Sequence, residues 1–203
     1  MGIAERKERE RQEMRRRILQ AATHLFVEKG FEKTSIRNVA EAIEYSPATI
    51  YLYFKDKNEL FYAISLEAFT CFGQYLQSAR EVDEPMERLK ALGRTYFRFA
   101  YENPSYYDLM FIMREPMDTE KTSDAWEAGM RGHQVLIDTV ADCMAAGYFK
   151  EKDPDVLAMV IWGFVHGIVS LRLRCRMRML PPEEREAMLW KALDMFNQML
   201  REM

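Results

Sequence analysis

Residues 34–57 read TSIRNVAEAIEYSPATIYLYFKDK. Val39, Ala40 and Ile43 recur at helical spacing, so the stretch predicts a short helix from about Ile36, capped by Thr34 or Ser35. Glu44-Tyr45-Ser46 is a tight turn. Ser46-Pro47 restarts a helix: Ser can cap free N–H groups, and Pro at the first helical position lacks the N–H that would go unsatisfied. This second helix, Pro47 to about Tyr53, is too short to bury a core of its own. It leans on its neighbours through Ile50 and Phe54 and leaves Ala48, Thr49, Leu52 and Tyr53 on the outside. Asp56-Lys57-Asn58-Glu59 then has the form of a capping box ahead of an apolar run.

A short helix of small residues held out on two others is the geometry that enters a DNA major groove. With RRRILQAATHLFVEKGFEKTSIRNVA (15–40) before it and PATIYLYFKDKNEL (47–60) within it, the segment resembles the DNA-binding domain of the TetR (tetracycline-repressor-like) family over residues 15–65. Two positions depart from that pattern. Glu44 stands where the family usually has Gly, and a non-Gly residue in a left-handed turn costs roughly 1–2 kcal/mol. Ala48 stands where Gly is frequent, which adds a methyl to the groove-facing surface. The resemblance implies a double-stranded, palindromic DNA operator as partner and places Tyr53 and Lys57 against its backbone. Thr34, Ser35, Arg37, Ser46, Pro47, Ala48, Thr49, Tyr51, Leu52, Tyr53 and Lys57 are the candidate DNA contacts. Pro47, Ala48 and Thr49 are the ones expected at base edges.

The 203 residues suffice for one domain or two small ones. The net charge of −3 says nothing about nucleic acid, but its distribution does. Residues 1–57 hold 12 Lys/Arg against 9 Asp/Glu, and the remainder 17 against 23. A basic head on an acidic body suits a DNA reader with a second job. Cys71, Cys143 and Cys175 are far apart and read as reduced thiols. The start of the chain is charged, unlike a signal peptide. The longest apolar run, 158–171, is interrupted by His166 and is shorter than the ~20 residues a membrane span needs. The expectation is a soluble cytoplasmic protein without membrane contact.

Residues 5–17, ERKERERQEMRRR, place Glu5/Arg9 and Glu13/Arg17 at i,i+4. They read either as a solvated helix extension or as a basic arm touching phosphate through Arg15, Arg16 and Arg17. Gly30-Phe31 and Gly147-Tyr148 are helix stops that use glycine at positive φ. Glu84-Pro85, Asn103-Pro104 and Asp153-Pro154 are starts, and Pro181-Pro182 is a break. Residues 114–123 are the most loop-like stretch. Arg172–Arg178 alternates with period two and reads as a basic last helical turn. About nine helices and no strands make an all-α protein: a helix-turn-helix head over 1–60 and a larger helical ligand-binding and dimerisation body over 61–203.

Ile161–Leu171, with Trp162, His166 and Gly167, and Asn103–Phe111 resemble the Trp-His-Gly class of TetR-type C-terminal domain. That resemblance implies a four-helix dimer interface from the last two helices of each subunit. Gly163 and Gly167 at i,i+4 allow another helix to come close. Leu189, Leu193, Phe196 and Leu200 form one apolar face, and Met188, Ala192, Met195 and Met199 a second, suited to a two-fold contact. Met-rich, aromatic-lined surfaces also adapt to apolar ligands. Candidates for a pocket are Phe69, Phe72, Tyr96, Phe99, Tyr107, Met110, Phe111, Met113, Trp126, Met130, Trp162 and His166; the bland alternative is that they are core. His24, His133 and His166 lie on separate helices without other ligands at metal spacing. No phosphate loop, nucleophile elbow or HExxH occurs, so neither a cofactor nor an enzyme is expected. The expectation is a homodimeric repressor released from its operator by a small apolar or amphipathic ligand. The alternative is a DNA-binding dimer regulated by a protein partner, with no small-molecule pocket.

Overall fold

The computed structural model describes residues 2–113, 124–149 and 152–202. Among them are nine α-helices and no strand: α1 (Ile3–Lys29), α2 (Ile36–Ala42), α3 (Pro47–Tyr51), α4 (Lys57–Arg80), α5 (Pro85–Glu102), α6 (Pro104–Phe111), α7 (Asp124–Ala145), α8 (Pro154–Leu173) and α9 (Arg185–Arg201). The loop-like stretch 114–123 lies outside the described residues. The chain divides into two units, Met1–Thr70 with Ser105–Ala128, and Cys71–Pro104 with Gly129–Met203. This differs from a cut at residue 60. The reason is visible in the packing: Leu109 of α6 is buried in the same core as Phe26, Ile50 and Phe61.

The first unit is built around three rings. Phe26, Phe31 and Phe61 lie 5.2–5.8 Å apart by centroid, with both contacts to Phe61 edge-on. Such pairs add about 0.5–1.5 kcal/mol each to the burial of their surface. Gly30 ends α1 at φ 84°, its N–H bonded to the Phe26 carbonyl, and turns Phe31 back onto the helix it follows. Ser35 caps α2: its hydroxyl accepts from the Asn38 N–H at 3.2 Å, and the Asn38 carboxamide oxygen accepts from the Ser35 N–H at 3.0 Å. At α4, Asp56 accepts from the Glu59 N–H at 2.8 Å, while the Glu59 carboxylate bonds the N–H of Lys55 rather than that of Asp56.

In the second unit, Met86, Leu89, Val140, Cys143, Phe149, Leu157, Ile161, Phe196 and Leu200 share one core. Asp153 caps α8 with bonds from the N–H groups of Asp155 and Val156, and Pro154 follows it. Gly147 closes the loop after α7 at φ 95°. Phe164 and Phe196 stack at 3.8 Å, tying α8 to α9. The close helix approach occurs at Gly93 of α5, where an added Cβ would stand 3.3 Å from Leu193. Nothing comes within 4 Å of the corresponding positions at Gly163 and Gly167.

Three expectations change here. α3 ends at Tyr51 rather than Tyr53, with Leu52 as its C-cap. Only Arg172 of the basic run lies in the last turn of α8; Arg174, Arg176 and Arg178 follow it, and Cys175 takes φ 53°. The apolar run 158–171 lies within α8, whose 20 residues include an 18-residue stretch of mean hydropathy 1.9, long and apolar enough by length and composition to cross a membrane. Its Leu157, Ile161, Val165 and Val169 stripe is buried, and the helix packs on α5 and α9.

Candidate nucleic-acid interface

α2 and α3 form a helix-turn-helix whose inner face belongs to the core. Val39, Ala40, Ile43 and Ile50 are all buried. The turn depends on Glu44, which takes φ 63°, the left-handed conformation expected where the family has Gly. That lets the Tyr45 N–H reach back to the Ala40 carbonyl at 2.9 Å. Because Ile50 and Phe54 face inward, Ser46, Pro47, Ala48, Tyr51 and Leu52 are left outside; Leu52 is 77% exposed.

The candidates differ in how far their groups are already committed. Thr34 is removed from the contacting set: it is 2% exposed, and its hydroxyl donates to the Leu25 and Gly30 carbonyls. Ser35 is exposed but serves the α2 cap. Ser46 does not cap α3 through its side chain; its hydroxyl lies 3.2 Å from that of Thr49. The two hydroxyls therefore orient each other on the outer face. Arg37 is exposed and paired with Glu41 at 2.9 Å. Tyr53 is half-buried against the head core. Lys57 donates to the Phe31 carbonyl and sits over the Phe31 ring.

Two cations that the family pattern did not single out flank this surface. The Arg15 guanidinium lies 5.3 Å from the Phe54 ring centroid, and Arg17 lies 5.5 Å from that of Tyr45. The triple-arginine run was the available signal, but which members reach the helix-turn-helix depended on the register of α1.

The twelve pocket candidates do not gather at one point. Phe69, Tyr107, Met110, Phe111, Met113 and Trp126 belong to the first unit. There Phe111 meets Phe69 and Tyr107, while Trp126 is exposed. Phe72, Tyr96, Phe99, Met130, Trp162 and His166 belong to the second. Phe72 packs on Tyr96 and Phe99, the Tyr96 hydroxyl shares a 3.1 Å hydrogen bond with His166 Nδ1, and the Trp162 ring meets His166 and His133. Burial holds His166 below its ordinary pKa. Met130 is exposed. His133, which no motif singled out, therefore joins this aromatic wall.

α9 shows both predicted faces. Leu189, Leu193, Phe196 and Leu200 are buried, while Met188, Met195 and Met199 are exposed and Ala192 is half-buried. On α8, Val156, Met159 and Val160 are exposed as well. A groove of about 700 Å³ runs along α8, lined by Gly163, Gly167 and Leu171, with Arg174 and Arg176 at its far end. Cys71, Cys143 and Cys175 form no disulfide; burial pushes Cys143 up to about 12, which keeps it protonated and inert.

A family model described as bacterial regulatory proteins of the tetR family matches residues 18–64, and one described as the tetracyclin repressor-like C-terminal domain matches residues 89–196. The transcriptional regulator HbdR of Aromatoleum sp. (strain CIB) is 23% identical over 156 residues, 76% of this chain and 68% of that one. The transcriptional repressor AcnR of Corynebacterium glutamicum is 27% identical over 124 residues, 61% of this chain and 60% of that one. The solved structure of AibR in complex with isovaleryl coenzyme A and operator DNA has the same fold, with a TM-score of 0.73 at 22% identity over 92% of this chain and 97% of that one. With its helix-turn-helix and most of its body matched, the chain belongs to the TetR family of bacterial transcriptional regulators.

Proposed function

We propose that the protein is a cytoplasmic homodimeric repressor, released from a palindromic operator by a small amphipathic ligand. The observation that carries this reading is α8. It is apolar around its circumference, yet only 28% of its most apolar stretch is buried in a single chain. Val156, Met159 and Val160 on α8, with Met195 and Met199 on α9, leave an apolar surface that monomers rarely carry. A second copy covers it by an isologous contact, and the open Gly163 and Gly167 positions admit a helix backbone.

The Tyr96–His166 hydrogen bond supports the ligand half of the reading. It sets a polar pair among Phe72, Phe99 and Trp162, the apolar lining with few polar groups that small-molecule sites use. By likeness to AibR, the ligand class is a coenzyme A thioester, with an acyl chain for the aromatic wall and a charged remainder for solvent. Release requires that the thioester bind the DNA-free state better than the DNA-bound one. The geometric basis is half-site spacing: two heads must meet major grooves one helical turn, ~34 Å, apart.

The test is anisotropy of a labelled duplex enriched from a random pool by the wild-type protein, titrated with coenzyme A thioesters of short and long acyl chains. Release by one chain-length class, with a matching rise in melting temperature of the free protein, supports the reading. No release and no thermal shift with any thioester or free fatty acid would instead favour control by a protein partner.

A further inference from the structure

Before Met14, α1 has no core to rest on. Residues 4–13 are all exposed, and they form about ten residues, ~15 Å, of helix beyond the head. Its acids give this helix local support, of about 0.2–0.5 kcal/mol per pair. Glu5 accepts from the Gly2 N–H, Glu8 from Gln12, Glu10 from Arg6 and Glu13 from Arg16. Each of the four acids between residues 2 and 17 thus has a partner within the helix, and none of these partners is Lys7, Arg11 or Arg15. Among the described residues Lys7 and Arg11 carry no ion pair.

At 100° per residue, Lys7, Arg11 and Arg15 fall within an arc of about 80°. Ile18, Ala22 and Leu25 continue the same arc, and all three are buried against the rest of the head. Arg15, last of the basic three, lies over Phe54, just past the recognition helix, and Arg17 lies over Tyr45 in the turn. The stripe therefore overhangs on the side of α1 that carries the helix-turn-helix.

We propose that this overhang is a second DNA contact: Lys7 and Arg11, continued by Arg15, track the phosphates that flank each half-site. The inference rests on the head being a DNA reader. Charge complementarity selects the occupant. The stripe is cationic and unneutralised by its own helix. Its side chains recur every ~6 Å along the axis, a spacing that can follow a backbone with one phosphate per 3.4 Å of each strand. Arg16, one of the arginines of the run, is not part of it, because Glu13 holds it at 2.7 Å on another face. The contact carries no base information, so it adds affinity and salt dependence without changing the sequence preference.

The experiment compares wild type, K7A/R11A and R6A on two duplexes carrying the sequence that wild type enriches from a random pool. One duplex is trimmed to the two half-sites; the other extends about one helical turn, ~10 bp, beyond each. On the extended duplex, K7A/R11A should lose about 2 per subunit from the slope of log K against log salt, since each neutralised phosphate contributes about 0.9. It should lose little on the trimmed duplex, and its circular dichroism should match wild type, because both positions are exposed and Ala favours helix. R6A, already neutralised by Glu10, should keep the wild-type slope. Equal slopes for wild type and K7A/R11A on the extended duplex would overturn the proposal and leave a solvated helix extension. An equal loss in R6A would overturn the stripe. A wild-type protein that enriches no sequence would instead refute the DNA-reading head itself.

Discussion

The Lys57 ammonium donates a 2.8 Å hydrogen bond to the Phe31 carbonyl and sits 4.0 Å from the centroid of the same residue's ring. The first residue of α4 thereby holds the backbone just after α1, at a carbonyl that also accepts from the Thr34 N–H at 3.2 Å. A charged hydrogen bond contributes about 1.5–3 kcal/mol, less where water competes, as it does at this half-buried site.

Lys57→Ala should therefore lower stability by about 1–2 kcal/mol, read as a lower urea midpoint with unchanged m. Two of the three ammonium protons remain for phosphate, so the same variant should reduce the salt slope of DNA binding by about 1. A loss of stability with an unchanged slope would make Lys57 a tether alone. An unchanged midpoint would mean that the Phe31 bond adds nothing in solution.

Base preference should centre on Thr49. Its hydroxyl is oriented by Ser46 at 3.2 Å on the outer face of α3. Thr49→Ala should change the preference at one base pair per half-site by about 1–3 kcal/mol. Ser46→Ala frees the Thr49 hydroxyl to rotate and should broaden the preference at that same position. Thr34→Val, by contrast, should destabilise the head and leave the selected-site profile unchanged. A profile that moves with Thr34 and not with Thr49 would reverse the assignment.

His166 should make stability depend on pH. Burial lowers its pKa from the ordinary 6.5, so the folded state prefers the neutral ring that bonds the Tyr96 hydroxyl. As pH falls, the unfolded chain takes up the proton first. The contribution is therefore complete above pH 6.5, is lost as pH falls below it, and levels off below the folded-state pKa. His166→Gln should flatten this dependence while keeping a group that can bond Tyr96. Parallel stability curves for the two proteins between pH 7.5 and 5 would show that His166 is not the titrating group.

Local signals carried most of the fold. Gly30, Gly147, Pro154 and Ser35 acted where their backbone chemistry places them, and Glu44 took the strained turn that a missing Gly implies. What stayed hidden was long-range. Thr34 looked like a cap or a contact, because adjacent hydroxyls do not reveal which one turns inward to Leu25. The glycine pair on α8 suggested a tight helix contact, yet within one chain that contact is at Gly93, which has no partner glycine. The pocket candidates share residue type and helical spacing rather than a common place in the fold. Residue type cannot separate the Phe69–Phe111 cluster from the Phe72–Tyr96–Phe99 cluster, since tertiary packing assigns them to different units.

The sharpest prediction concerns Met195, which is 66% exposed on α9 between the buried Leu193 and Phe196. Its neighbours on the same face, Met188 and Met199, are also exposed, and Asp194 and Gln198 flank them. A side chain of this kind adds about 1.5–3 kcal/mol when its surface leaves water. In an isologous interface each substitution counts twice. Met195→Asp removes that gain and would bury a carboxylate near its own symmetry mate, so the dimer dissociation constant should rise more than 100-fold. The position is exposed in the single chain, so helix content should be kept. Operator binding should collapse, because a lone head makes half the contacts. Sedimentation velocity at micromolar concentration decides the matter. A wild-type dimer and a folded Met195→Asp monomer are expected. A wild-type monomer would remove both the interface and the half-site spacing on which release by a ligand depends.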